Sequence, residues 1–220
     1  FEKCCPELGC FELGSPWTTP IRPVPQPRCQ DEIPALFYLY TRKNPYRRHN
    51  IKVWPEISLR GSKFNSRRPT VFYFHGWNSK AEGPEIEELK TAYLRAVDVN
   101  LIFVDWSSAA LNHFYPQAVS DTRVVAAQAS RFVNYLIYTL GASPSEMHFM
   151  GLSLGAHTAA YTARTLPRVA RLTGLDPAGP LYEGNSDEVK LNVNDAAFVE
   201  VIHTNGFPLT SFGSYSPLGK

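Results

Sequence analysis

The chain has 220 residues, 44% of them hydrophobic and 19% charged, the balance of an ordinary folded domain with one substantial core. Its formal net charge of +2 excludes a dedicated nucleic-acid binder, in which basic residues would dominate. No apolar stretch approaches the roughly 20 residues that span a bilayer, so no transmembrane segment is expected.

The chain opens at Phe1 without an initiator Met or signal peptide and reads as a processed, mature start. Cys4, Cys5, Cys10 and Cys29 are its only cysteines. An even, clustered set predicts two disulfides, an oxidising compartment and secretion. Adjacent cysteines followed by a long gap fit no common zinc spacing. Without an Asn-x-Ser/Thr acceptor, glycosylation adds no support for secretion. Residues 1–30 are rich in Cys and Pro, as in "GSPWTTPIRPVPQPRC". Proline fixes φ and removes a donor, so this disulfide-tied segment is expected to lack regular elements and to lie across a domain formed by residues 31–220. The basic runs Arg42–His49 and Arg67-Arg68 read as solvated loop charges.

Beyond residue 34, short apolar runs alternate with longer amphipathic ones. "ALFYLYT" (35–41), "TVFYFHG" (70–76), "NLIFVDW" (100–106), "MHFMG" (147–151), "RLTGLD" (171–176) and "FVEVIHT" (198–204) read as strands. Most are near-continuously apolar, as in a parallel sheet covered on both faces. Helices are predicted between them. Over 83–97, Ile86, Leu89, Tyr93, Leu94 and Val97 mark one face at helical spacing. Residues 120–141 open with Ser/Asp caps and close on Gly141, and residues 154–166 stop before Pro167. The alternation predicts an α/β doubly wound sheet with right-handed crossovers.

Gly151-Leu152-Ser153-Leu154-Gly155 falls between a predicted strand and a predicted helix. In a Gly-x-Ser-x-Gly elbow the serine sits on a sharp strand-to-helix turn with its hydroxyl at the sheet edge, and glycines flank it where side chains do not fit. A bare match is weak, but the strand and helix supply the required context and make Ser153 a candidate nucleophile. Asp176, at the end of the next predicted strand, follows in the right chain order to be its acid. The amides of Leu154 and of Trp77, in the His75-Gly76-Trp77 turn after a strand, are candidate oxyanion donors. His75 precedes the acid and reads as structural.

Taken together, "CCPELGCF", "FYLYTRKNP", "FHGW", "VDW", "TRVVAAQ", "GLSLGAH", "RLTGLDPAGP" and "DAAFVEVIHT" resemble the pancreatic lipase family of secreted α/β-hydrolases and its phospholipase A1 relatives, almost end to end and in the family's order. The resemblance implies an α/β-hydrolase fold with a mostly parallel central sheet and helices on both faces, incomplete at the C-terminus. It implies Ser153 as nucleophile, Asp176 as acid, Trp77 and Leu154 as oxyanion amides, and the pairing Cys4–Cys10, which leaves Cys5 with Cys29. It implies an acyl-lipid substrate met at an interface. It also implies a structural calcium, with side-chain oxygens from Asp195 and Asn192 and carbonyls from Asp187 and Lys190. Hard oxygen donors suit that ion. Asn192 stands where the family tends to have a carboxylate, and the alternative is an acidic solvated loop.

Two departures from the family's pattern are expected to matter unequally. Leu152 stands where the family usually has histidine, with little effect. The family's triad histidine lies beyond a lid loop, and the last residues here, "SYSPLGK", fall where that lid begins. His203 is the one histidine after Asp176, but it belongs to a word the family carries alongside a later triad histidine. It therefore reads as packed near the site. His157 is expected to point down its helix. Losing a triad serine or histidine costs about 10⁶ in kcat, so these residues are expected to be a portion of an active enzyme. A non-catalytic, lipid-binding or yolk-type relative is the competing reading.

Overall fold

The structure, a computed structural model, describes residues 1–205, 212–214 and 216–218. The expectation that a lid begins at residues 214–220 lies partly outside the described residues.

The first residues depart from expectation. Strands β1 (Glu2–Cys5) and β2 (Gly9–Glu12) pair as an antiparallel hairpin. Glu7 and Gly9 turn the chain with φ of 60° and 90°, a region that glycine enters without steric cost. The proline-rich character that argued against regular elements starts only after this hairpin. Cys4 and Cys10 face each other across the ladder and are bonded, and Cys5 is bonded to Cys29. Here the lesson is one of scale. Composition averaged over thirty residues hid a local change at Gly14.

The main sheet holds β3 (Leu36–Tyr40), β4 (His49–Lys52), β5 (Thr70–Phe74), β6 (Asn100–Asp105), β7 (Met147–Leu152), β8 (Arg171–Leu175) and β9 (Phe198–Ile202). Their spatial order is β4-β3-β6-β5-β7-β8-β9. From β6 across to β9 all pairs are parallel, while β3 runs antiparallel to both neighbours. This mostly parallel, helix-flanked sheet is the arrangement expected of an α/β-hydrolase fold. The sequence did not indicate β4, because a strand on the sheet edge needs no apolar run on both faces and this one reads as a polar loop.

The α-helices among the described residues are α1 (Pro84–Ala96), α2 (Ser107–Ala110), α3 (Tyr115–Tyr138) and α4 (Leu154–Arg164). They explain why the central strands β5 and β6 are apolar on both faces. Successive strand side chains point to opposite faces. Phe72 and Phe74 of β5, with Phe149 of β7, pack into one core with Phe132 of α3 and Ala156 and Ala160 of α4. Val71 and Tyr73, with Met150, pack into a second core with Ile86 and Leu94 of α1. Phe72 and Phe149 stack with centroids 5.0 Å apart. Full burial of each such ring contributes about 1.5–3 kcal/mol.

Helix α3 also corrects an expectation. It begins at Tyr115, with proline in its first turn, rather than at Ser120. Ser120 and Asp121 are buried inside the helix and do not cap it. The Ser120 hydroxyl donates to the Pro25 carbonyl at 2.6 Å. Asp121 accepts the Arg28 backbone amide at 2.9 Å and its guanidinium at 2.7 Å. The two residues that resembled a local cap grip the N-terminal segment instead. Because the Asp121 side chain is fully buried, leaving that charge unpaired would cost about 3–5 kcal/mol. Gly141, at φ 74°, follows the helix as expected.

Candidate active site

Strand β7 ends at Leu152 and α4 starts at Leu154, so Ser153 alone makes the turn. Its φ and ψ are 55° and −119°, a conformation that costs a non-glycine residue on the order of 1–3 kcal/mol. The flanking glycines are there because backbone meets backbone. A Cβ on Gly151 would lie 2.1 Å from the Gly155 carbonyl oxygen, and one on Gly155 would lie 2.2 Å from the Phe74 carbonyl oxygen. Ser153 is half-buried, and Leu152, 38% exposed, faces solvent.

The turn is tied to its neighbours in the sheet. The Ser153 amide donates to the Leu175 carbonyl at 3.0 Å, which puts Asp176 one residue from the serine's backbone partner. Asp176 sits at φ 44° and its amide donates to the Ile202 carbonyl at 2.7 Å. Its Oδ1 accepts the amides of Thr204 and Asn205 at 3.1 and 3.0 Å. Serine and acid therefore share the carboxyl edge of β7 and β8, each in a left-handed conformation.

The His75-Gly76-Trp77 turn reaches the same place from β5. A Cβ on Gly76 would lie 3.2 Å from the Ser153 Cβ, so this backbone passes directly over the serine. The Trp77 ring is held by a hydrogen bond from Nε1 to the Asn112 carbonyl at 2.8 Å and by an edge contact with Tyr115. Among the described residues, the backbone amides of Trp77 and Leu154 donate to no other group, which leaves both available to a ligand oxygen. His75 is buried, stacked on Trp106, and accepts the Trp106 amide at Nε2 at 3.1 Å. The Trp106 indole in turn donates to the His75 carbonyl at 2.8 Å. Sequence reasoning did not find Trp106. It lay within the word "VDW" at the end of an apolar run, with nothing local to show that it would hold His75.

The remaining histidines divide by burial. His157 is fully buried on α4 and stacked on Tyr182 at 3.7 Å. Its Nε2 donates to the Ala178 carbonyl at 2.9 Å, and its Nδ1 accepts the Leu191 amide at 3.0 Å. Burial pushes it down to about 3, so it is a neutral clasp on the loop that follows Asp176. His148, also lowered by burial, to about 4, bonds Thr173 and Tyr93. The Nδ1 of His203 donates to the Ser214 carbonyl at 2.8 Å. Among the described residues, no histidine ring is bonded to Asp176.

The loop between β8 and β9 contains Asp187, Lys190, Asn192 and Asp195, and the structure does bring parts of this set around one cation. That cation is Arg164, in the last turn of α4. Its Nε donates to Asp195 Oδ1 at 2.9 Å and one terminal nitrogen donates to Oδ2 at 3.1 Å and to the Lys190 carbonyl at 2.8 Å. Its other terminal nitrogen donates to the Glu188 carbonyl. The Asn192 side-chain oxygen accepts the Asn194 amide at 2.9 Å, and Asp187 pairs with the Lys190 ammonium at 3.3 Å. Of the four expected calcium donors, the Asp195 carboxylate and the Lys190 carbonyl are thus engaged by Arg164 and the Asn192 side-chain oxygen by a backbone amide.

A family model described as lipase matches residues 1–220. The chain is 39% identical to pancreatic lipase-related protein 2 of Myocastor coypus over 96% of this chain and 46% of that protein. It is 39% identical to pancreatic triacylglycerol lipase of the same animal over 94% of this chain and 46% of that protein. It is 36% identical to inactive pancreatic lipase-related protein 1 of Mus musculus over 96% of this chain and 45% of that protein. The chain thus spans about half the length of the curated relatives it matches.

Proposed function

Because the chain belongs to the lipase family, we propose that the protein is a secreted serine hydrolase of acyl-lipid esters, triacylglycerol or phospholipid. Ser153 attacks the ester carbonyl, and the amides of Trp77 and Leu154 hold the oxyanion that forms. The serine proton passes to a histidine oriented by Asp176, which then gives it to the departing alcohol. Water releases the acyl group by the same route in reverse. The histidine comes from the part of the full-length protein beyond these residues. The observation that supports this reading most is the Ser153 backbone at φ 55°. A strained serine at a helix N-terminus, beneath a second backbone turn, has no structural need of its own. Each oxyanion donor is worth about 10²–10³ in kcat.

Exposed Leu111, Phe114, Leu152, Ile202 and Phe212 support a substrate met at a lipid surface, since such side chains lose water on contact with it. Two disulfides within the first thirty residues support secretion. Among the described residues, no helix is long and apolar enough to cross a membrane.

A fluorophosphonate probe on the full-length protein tests the proposal. Labelling at Ser153 that disappears in Ser153→Ala is the expected result. The second reading, a non-catalytic lipid binder, is supported by the 36% identity to a relative named inactive pancreatic lipase-related protein 1. Intact, folded full-length protein that takes up no probe would select it.

A further inference from the structure

We propose that Arg164 is a built-in substitute for a divalent cation, and that the loop joining β8 to β9 is ordered without calcium. This inference does not depend on the catalytic reading. The loop offers the oxygen donors that a hard cation would use: one carboxylate and two backbone carbonyls converging on one point. All three are taken by a single guanidinium. Asp195 is gripped on both oxygens, and the carbonyls of Glu188 and Lys190 accept from the two terminal nitrogens. A planar fork with several fixed donors can satisfy three acceptors at once, where an ammonium could not. The Asn192 backbone amide adds a further bond to Asp195 Oδ2 at 2.7 Å, so that oxygen accepts two hydrogen bonds and Oδ1 one.

Charge balance points the same way. The Asp195 side chain is 5% exposed and that of Arg164 is 28% exposed, so the pair is largely withdrawn from solvent. The other loop aspartate, Asp187, has its own cation in Lys190, whose ammonium also donates to the Asn185 carbonyl at 2.9 Å. The guanidinium also lies over the Tyr161 ring, 5.4 Å from its centroid, a contact that a calcium ion taking its place would forfeit. Arg164 belongs to the helix that starts at Ser153, and Asp195 belongs to the loop that starts at Asp176. The clamp therefore joins the far ends of the two segments whose near ends form the candidate site.

Thermal melting of the full-length protein in about 1 mM calcium and in chelator is the test. Wild type is expected to melt at the same temperature in both. Arg164→Ala should melt about 6–12 °C lower in chelator, the effect of leaving a buried carboxylate unpaired, and should recover part of that loss when calcium is added. Should Arg164→Ala not fold, Arg164→Lys serves: it should also melt lower, since one ammonium cannot reach the acid and both carbonyls. A calcium-dependent rise in wild type that Asp195→Asn removes would overturn the proposal. So would Arg164→Ala or Arg164→Lys melting as high as wild type.

Discussion

The turn at Ser153 and the loop after Asp176 meet at the same edge of the same sheet, yet they are held by opposite means. The turn is held by leaving side chains out. Gly151 and Gly155 let β7, α4 and β5 touch backbone to backbone, and a hydrogen bond from the Ser153 amide fixes the corner. The loop is held by putting side chains in. The Arg164 guanidinium and the His157 imidazole reach across from α4 and bond its carbonyls, an amide and a carboxylate. A turn built from close backbone approach tolerates almost no substitution. A loop built from side-chain clasps depends on a few long-range pairs and tolerates change between them.

Four changes would break or sharpen that contrast. The largest effect is chemical. On the proposed function, Ser153→Ala should lower kcat of the full-length protein by about 10⁶ against an ester substrate, with the melting temperature essentially unmoved. A comparable fall in stability would mean that the serine acts as a structural residue. Next is the backbone contact. Gly155→Ala should cost about 3 kcal/mol or more in urea unfolding, because its Cβ meets a backbone carbonyl that no side-chain motion relieves. A variant as stable as wild type would remove the close-approach account of the turn.

The loop should respond more mildly. His157→Leu keeps the volume but strands the Leu191 amide and the Ala178 carbonyl, at a cost of about 2 kcal/mol. It should also change the response to acid. The folded His157 is lowered by burial to about 3, while in the unfolded chain it titrates near 6.5. The unfolded state therefore binds the proton first, and the stabilisation, complete above about pH 6.5, is lost as pH falls toward 3. Urea midpoints measured across that window should decline less steeply in His157→Leu than in wild type. Equal slopes would show that the ring is not the group being titrated. The smallest effect is a gain. Ser153→Gly relieves the left-handed backbone and should raise stability by up to about 1 kcal/mol while activity is lost. A decrease in stability would mean that the serine is unstrained.

How much of this was legible in the sequence follows from the same contrast. The strands at 70–74, 100–105 and 171–175 stood out because strands covered on both faces are near-continuously apolar rather than alternating. Ser153, Asp176 and the His75-Gly76-Trp77 turn stood out because each sits where a strand stops, and glycine has few other reasons to be there. The start of α3 was missed because Ser120 and Asp121 satisfy a local rule, while the packing of residues 25–28 against that helix gives them another use. The hairpin at the N-terminus was missed because its neighbours are proline-rich.

The linear chain by itself determined the doubly wound sheet, the elbow and the order of its chemical groups. These rest on periodicity and on which residues can occupy a turn, and both are properties of neighbours along the backbone. Only the folded molecule decided what the charged and imidazole groups do. Arg164 could equally have been a solvated helix end, but in the fold it grips Asp195, and His203 donates to the Ser214 carbonyl. The free energy of a buried charge or ring is set by whichever partners lie within about 3 Å of it. For Arg164 and Asp195 those partners are some thirty positions apart in the chain, and no local pattern records that distance.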